Sequence, residues 1–337
     1  MIVAKADPQP RHILLTGASS GIGFEAACLL QRAGHRLVLP CRDSHTVHTL
    51  RERLPGSSQL PICDLADLQS VDRCAAHLLS IGDPIDVLVL NAGLQYSGSS
   101  VPRWSAQGFE LTIAVNHLAH QALLQRLLPL LKRGSKPRLV VTASEVHNPA
   151  TPGGRVGPPA GLGNLEGLRE GAGSSMINGS QHFDAQKSYK DSKLCNILMA
   201  REIDRLFHLS GIDISVVSWS PGLVIPRTNG GFFRHSRLIN PLGQSVFAFI
   251  VRDLLRITES PQVAGGRLAA LATDPLLAST EFQYWSTTVQ RPGLLEFGPS
   301  EVSSEARSSQ LAHDLWSLTS KHLQLALGHK LSSFLTD

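Results

Sequence analysis

No two cysteines in the chain are spaced as CxxC, and the five present, Cys28, Cys41, Cys63, Cys74 and Cys195, are odd in number. Neither a disulfide framework nor a zinc site is signalled, so no metal is expected and a reducing, cytoplasmic compartment fits best. Long apolar runs are missing too. The segment Val246 to Val251 is stopped by Arg252 and Asp253, well short of the roughly 18 residues a membrane-crossing helix needs. There is no basic block either: 31 Lys and Arg stand against 27 Asp and Glu, and the formal charge of +4 is spread along the chain. That argues against nucleic acid as a partner. Met1 to Arg11 lacks the apolar core and small-residue cleavage site of a secretory signal, so residues 1–10 read as a loose arm and 329–337 as a frayed tail.

What is present is ample material for a core. The 337 residues are 42% hydrophobic, which predicts one enlarged domain over 11–328 more readily than two. Short apolar runs alternate with helical patterns: Ile13 to Leu15 then Phe24 to Ala33, Arg36 to Leu39 then Val47 to Leu54, Val87 to Leu90 then Gly108 to Leu131, with Arg138 to Val141 and Ile214 to Val217 following. Such alternation predicts an α/β fold of Rossmann type, a doubly wound parallel sheet with helices on both faces. Asn148 to Gln181 is rich in Gly, Pro, Ser and Asn, and a loop of that length usually serves a site or is disordered. Gly231 to Ile257 reads as a lid over the site, the alternative being an extra helix packed on the surface. A helix over Pro261 to Ala272, a strand over Glu281 to Ser286 and a closing helix over Ser304 to Leu327 complete the pattern.

Thr16-Gly17-Ala18-Ser19-Ser20-Gly21-Ile22-Gly23 lies between an apolar strand and an apolar-faced helix. Glycines there allow a tight turn and close approach of the backbone to a pyrophosphate, whose charge then faces the helix N-terminus. At the end of the second strand stands Cys41-Arg42 where an acidic residue would serve NAD. An arginine there can pair with the 2′-phosphate of NADPH; the alternatives are an ordinary exposed arginine, or Asp43 holding the ribose. Asp64-Leu65, after a third short strand, is expected to cap the adenine, Asn91-Ala92-Gly93 at the end of a fourth to wall the cofactor, and Pro221 with Gly222 to meet it further along.

Tyr189 and Lys193 are four residues apart and hence share one helix face. A neighbouring ammonium favours the ionised phenol and is expected to lower its pKa. Ser144 follows the strand Arg138 to Val141 and can hold a reacting oxygen or the tyrosine itself, while Asn116 can position a water linking the lysine to solvent. Nucleotide and acid would then share one crevice at the sheet's carboxyl edge. His117, His120 and His147 match no metal-ligand spacing and read as structural or exposed histidines.

These residues resemble the extended short-chain dehydrogenase/reductase pattern. The run Gly163-Asn164-Leu165-Glu166-Gly167-Leu168, then Ser175-Met176-Ile177-Asn178-Gly179, Phe183-Asp184 and Tyr189-Lys190-Asp191-Ser192-Lys193-Leu194-Cys195-Asn196 resembles the light-dependent protochlorophyllide reductases. Glu110-Leu111-Thr112, Val115-Asn116-His117-Leu118, Phe232-Phe233-Arg234-His235, Tyr284-Trp285-Ser286 and Leu315-Trp316 extend the likeness over roughly residues 11 to 328. It implies that NADPH gives a hydride to a tetrapyrrole after light absorption, that Tyr189 delivers the proton with Lys193 as its tuner, and that Gly231 to Ile257 helps enclose the pigment. A broad apolar lid also suits peripheral contact with a photosynthetic membrane surface.

Two segments depart from that family. Where it has Tyr-Pro-Gly-Cys at the pocket mouth, this chain reads Ser220-Pro221-Gly222-Leu223, and Thr142-Ala143-Ser144-Glu145-Val146 lacks the family's threonine near Val146. Leucine donates no proton. Two further readings therefore stand beside the first: a light-independent reductase of a carbonyl or alcohol on an apolar retinoid, steroid or quinone, and an NADPH- and pigment-binding protein with little turnover.

Overall fold

Val87–Leu90 and Arg138–Thr142 are buried at every position, the mark of strands covered on both faces. The computed structural model describes residues 9–225, 238, 241–329 and 331. Its strands are β1 (His12–Leu15), β2 (Arg36–Val38), β3 (Val87–Leu90), β4 (Arg138–Thr142), β5 (Ser215–Ser220), β6 (Gln283–Arg291) and β7 (Leu294–Pro299). They form one sheet in the order β2-β1-β3-β4-β5-β6-β7. All neighbours pair in parallel except β6 with β7. The chain thus winds one way from β1 to β2 and the other way from β3 onward, leaving a switch point between β1 and β3 where such sheets open a ligand crevice.

The helices are α1 (Gly21–Arg32), α2 (Ser44–Arg53), α3 (Leu68–Ile81), α4 (Leu111–Ile113), α5 (Ala119–Leu131), α6 (Pro152–Arg155), α7 (Glu166–Glu170), α8 (Ala185–Leu209), α9 (Pro241–Ala248), α10 (Pro261–Thr273) and α11 (Ser309–Leu327). Leu30 of α1, Leu50 of α2 and Leu268 and Leu271 of α10 pack with Ile13, Leu15, Val87 and Val89 on one face of the sheet. Val71, Leu123, Leu127, Ile197, Ile203 and Leu315 of α3, α5, α8 and α11 pack with Leu14, Leu88 and Leu139 on the other. The period-2 alternation of each strand divides its side chains between these two cores. Arg138, buried in β4, donates to Leu271 O at 2.6 Å and Asp274 O at 3.1 Å, answering free carbonyls at the end of α10.

The doubly wound parallel sheet is as expected, and several details differ. The expected third strand before Asp64 is reduced to two isolated bridges, Val38 with Gln59 and Cys41 with Ile62. The helix expected from Gly108 starts at Leu111, where Glu110 accepts from the N–H groups of Thr112 and Ile113, and it runs through a π-helical turn, Ala114–Leu118. The segment 148–181 contains the short helices α6 and α7 and forms a wall against α8. The last strand, expected over Glu281 to Ser286, runs on to Arg291 and returns as β7 through Pro292-Gly293, with Gly293 at φ +79°.

Of the expected lid, residues 231–237, 239 and 240 lie outside the described residues, as do 1–8 of the arm and 330 and 332–337 of the tail. The described remainder of the lid presents Leu242, Val246, Phe249 and Leu254 outward. Among the described residues no helix is long and apolar enough to cross a membrane.

Candidate active site

The glycine-rich turn connects β1 to α1 beside the end of β3. Gly17 sits at φ +76°, and a Cβ there would stand 2.8 Å from Ala92 Cα; one on Gly23 would meet Gly17 O at 2.3 Å. Only glycine lets the turn close on the Asn91-Ala92-Gly93 segment in this way. Thr16 locks the two together. Its hydroxyl accepts from Asn91 N at 2.9 Å and Ala92 N at 3.0 Å, while Asn91 Nδ2 donates to Thr16 O at 3.0 Å. Ser20 caps α1 without a side-chain hydrogen bond, and Ser19 and Ser20 are exposed. The first N–H groups of α1, beginning at Gly21 and Ile22, therefore have no side-chain cap, as an anion site requires. The cradle fits a dinucleotide pyrophosphate.

At the neighbouring strand ends, Arg42 is exposed and Asp64 is half-buried. Arg42 Nε donates to Asp43 Oδ2 at 3.0 Å. Asp43 itself accepts from the Thr46 backbone and hydroxyl, each at 2.7 Å. These Thr46 bonds, and then Arg42, hold its carboxyl well below the usual range. Asp43 is thus spent as the cap of α2, and the exposed Arg42 is paired with it. Asp64 Oδ1 accepts from Ala66 N at 2.9 Å and so shapes the turn that carries Leu65. Farther along the edge Gly222, at φ +76° after Pro221, leaves no room for a Cβ, which would meet Thr287 Cβ at 2.9 Å.

Tyr189 and Lys193 project from α8, whose first turn is capped by Asp184 accepting from Lys187 N. The Lys193 Nζ lies 5.6 Å from the Tyr189 ring centroid and donates to Thr142 O at 3.2 Å. A Cβ on Gly93, at the mouth of the crevice, would stand 3.4 Å from both Lys193 Nζ and Asn116 Oδ1. The structure therefore brings Ser144, Tyr189, Lys193 and Asn116 to the crevice that the glycine turn borders. Burial pushes the Tyr189 phenol above its ordinary value, and a hydrogen bond with the Ser144 hydroxyl lowers it in part. The expected lowering by lysine is not found: burial sets the direction and the Ser144 hydroxyl is what opposes it. Burial in turn brings Lys193 down to about 8.

Asn116 is held by protein partners. Its side chain accepts from Leu94 N at 2.8 Å and donates to Leu94 O and Ser192 Oγ, each at 3.0 Å. It pins the strand end that carries Gly93 and has no donor left for a water. Its own carbonyl accepts from His120 Nδ1 at 3.0 Å, and the other ring nitrogen of His120 accepts from the Thr16 hydroxyl at 3.1 Å. Burial holds His120 down to about 4, so the neutral ring is a fixed link. His117 bonds Thr319, and His147 bonds Ser144 O and Ser303 N. All three histidines are structural.

Some contributors carry no sequence signal of their own. Arg53, at the end of α2, donates to Ser19 O at 2.9 Å and lies over the Phe24 ring, adding a second cation to the glycine turn. Thr142 ties the site together by donating to Asn91 Oδ1 at 3.3 Å while its carbonyl receives Lys193. Glu145, the neighbour of Ser144, is raised above the usual carboxylate range by burial.

Comparison with known proteins agrees with this geometry. A family model described as short chain dehydrogenase matches residues 11–156. The chain is 35% identical over 319 residues to protochlorophyllide reductase A, chloroplastic, of Oryza sativa subsp. japonica, covering 92% of this chain and 79% of that one. It is 34% identical over 324 residues to the protochlorophyllide reductase of Avena sativa, covering 93% of this chain and 100% of that one. An uncharacterized protein from Mycobacterium paratuberculosis shares the fold at a TM-score of 0.67 and 23% identity, with coverage of 96% and 95%. With the glycine turn, the switch-point crevice and this extent of identity, the chain belongs to the short-chain dehydrogenase/reductase family and is an NAD(P)-dependent oxidoreductase.

Proposed function

We propose that the protein is an NADPH-dependent reductase of protochlorophyllide or a closely related tetrapyrrole, driven by light. The observation that carries this reading is the reach of the similarity to protochlorophyllide reductases, which covers 92% of the chain. It therefore extends past the cofactor turn into the 148–181 wall, α8 and the closing elements. The general short-chain dehydrogenase family model, by contrast, matches residues 11–156.

Gly17, Ser19, Ser20, Gly21, Ile22 and Gly23 would hold the pyrophosphate, Arg42 the 2′-phosphate, Asp64 and Leu65 the adenine, and Asn91, Ala92, Gly93, Pro221 and Gly222 the remaining walls. When bound, NADPH supplies the hydride. Tyr189, kept protonated by burial, gives its phenolic proton to the carbon of the reduced double bond that does not receive the hydride. Ser144 orients that O–H. Lys193, held near neutrality at about 8, returns a proton to the phenolate, and a group with that pKa exchanges protons readily at physiological pH.

Leu223, in place of a cysteine, favours a second reading: reduction of a carbonyl on an apolar substrate in darkness by the same Ser144, Tyr189 and Lys193. An anaerobic mixture of protein, NADPH and protochlorophyllide separates them, followed by absorption spectra in darkness and after brief illumination. A red-shifted bound pigment that gives a chlorin band only after light is expected. No shift, together with dark reduction of an apolar aldehyde or ketone, would replace the first reading with the second.

A further inference from the structure

The lysine next to Tyr189 carries a feature that neither cofactor binding nor proton transfer uses. Lys190 is 1% exposed, yet among the described residues no carboxylate is bonded to its ammonium. Its Nζ donates to three backbone carbonyls of the 148–181 wall, Gly154 at 2.9 Å, Val156 at 2.7 Å and Pro158 at 2.8 Å. An ammonium has three N–H donors, and all three are spent on one strap of main chain. Gln186 Nε2 adds a bond to Val156 O at 2.9 Å, and Lys187 and Asp191 hold Gly161 just beyond.

The other end of this strap is tied to the catalytic serine. Thr151 Oγ1 donates to Glu145 O at 3.0 Å and accepts from Gly154 N at 3.0 Å, and Ser144 caps the 3-10 turn Glu145–His147. The path Ser144, Glu145, Thr151, Gly154, Lys190 thus begins beside the Tyr189 hydroxyl and ends on the residue after Tyr189. We infer that Lys190 is a positioning residue, whose ammonium straps Gly154–Pro158 to α8 and so holds the Ser144 turn against Tyr189. Without it the Gly154 and Pro158 carbonyls lose this donor, Val156 keeps only Gln186, and the turn is free to drift from the phenol. The kinetic part of the inference rests on the reductase reading above; the geometric part does not.

The test is Lys190→Met, which keeps the length of the side chain and removes its donors, with Lys190→Arg beside it. The chain has three tyrosines, so labelling their ring carbon bearing oxygen gives three resolvable NMR signals, with Tyr189→Phe identifying one. In Lys190→Met the Tyr189 signal should shift while those of Tyr96 and Tyr284 stay, and amide exchange should accelerate over 152–158. NADPH affinity should hold within about twofold while kcat falls by about tenfold to a hundredfold, the scale on which a misplacement of about an ångström acts. Lys190→Arg, which restores donors, should recover part of each change. Faster exchange with an unmoved Tyr189 signal would reduce Lys190 to a stabilising contact and overturn the inference. So would parallel loss of NADPH binding and all three tyrosine signals. Failure of the wild-type protein to photoreduce pigment would sink the functional reading alone, because the tyrosine signal is read without substrate.

Discussion

Asn116→Ala is the most informative single change at the cofactor wall. The native amide satisfies Leu94 N–H and C=O and bonds Ser192 Oγ, and the residue is 0% exposed. Ser192 keeps its bond to Tyr189 O at 2.7 Å, so the loss falls on the two Leu94 groups. Leaving a buried polar group unpaired costs about 1–3 kcal/mol. Leu94 is only half-buried, and water can answer part of the loss, so the lower half of the range applies and the sum over the two groups is about 2–4 kcal/mol. For a domain of this size that is a fall in Tm of about 3–6 °C. The displaced Gly93 should also weaken NADPH binding by about tenfold, equivalent to roughly 1.4 kcal/mol. Thermal unfolding and titration of NADPH fluorescence read the two effects. A Tm within about a degree of the wild type, with NADPH affinity unchanged, would refute the pinning role.

Three other outcomes follow from the geometry. Arg42→Ala should weaken NADPH by about tenfold, as loss of a charge-assisted bond does on an exposed site, and leave NADH nearly unchanged; equal loss of both would remove the 2′-phosphate assignment. Gly17→Ala puts a side chain at φ +76° and 2.8 Å from Ala92 Cα, with a backbone cost of about 1–2 kcal/mol before the clash is counted; it should abolish binding of both cofactors in a protein that still folds by circular dichroism. Burial raises Glu145, so the native state holds its proton more tightly than the unfolded chain does. Its contribution to stability is most favourable below the unfolded pKa and declines as pH rises through the native one. Glu145→Gln should accordingly raise Tm at about pH 8 and change it little near about pH 4, and a uniform shift at both would contradict the assignment.

The parts of the site governed by local rules were readable from sequence. The glycine turn, the strand-end Asn91-Ala92-Gly93 segment and the four-residue spacing of Tyr189 and Lys193 depend on positive φ, close backbone approach and helical periodicity, all of which leave a residue pattern. The parts that depend on tertiary partners did not. The π-helical turn that redirects Asn116 toward Leu94 has the same composition as an ordinary helix. Lys190 reads as one more surface lysine because its partners are main-chain carbonyls some thirty residues earlier, which any sequence supplies. Burial of Tyr189 reversed the expected sign of its shift for a similar reason, since desolvation is a property of the packed site. The β6–β7 hairpin is different: its Pro292-Gly293 turn is a local signal, and a strand expected only to Ser286 leaves it unused.

The proposed function divides the reduction into a hydride from NADPH and a proton from Tyr189. It is tested most directly with NADPH deuterated at the transferring position of the nicotinamide, protochlorophyllide and a light pulse in the absence of oxygen, followed by mass spectrometry of the pigment. Wild-type protein should yield a chlorin that has gained one deuterium. Tyr189→Phe should bind NADPH and pigment as before but form product about a hundredfold to ten-thousandfold more slowly, the usual contribution of a general acid. A product without deuterium, or undiminished turnover in Tyr189→Phe, would contradict the account.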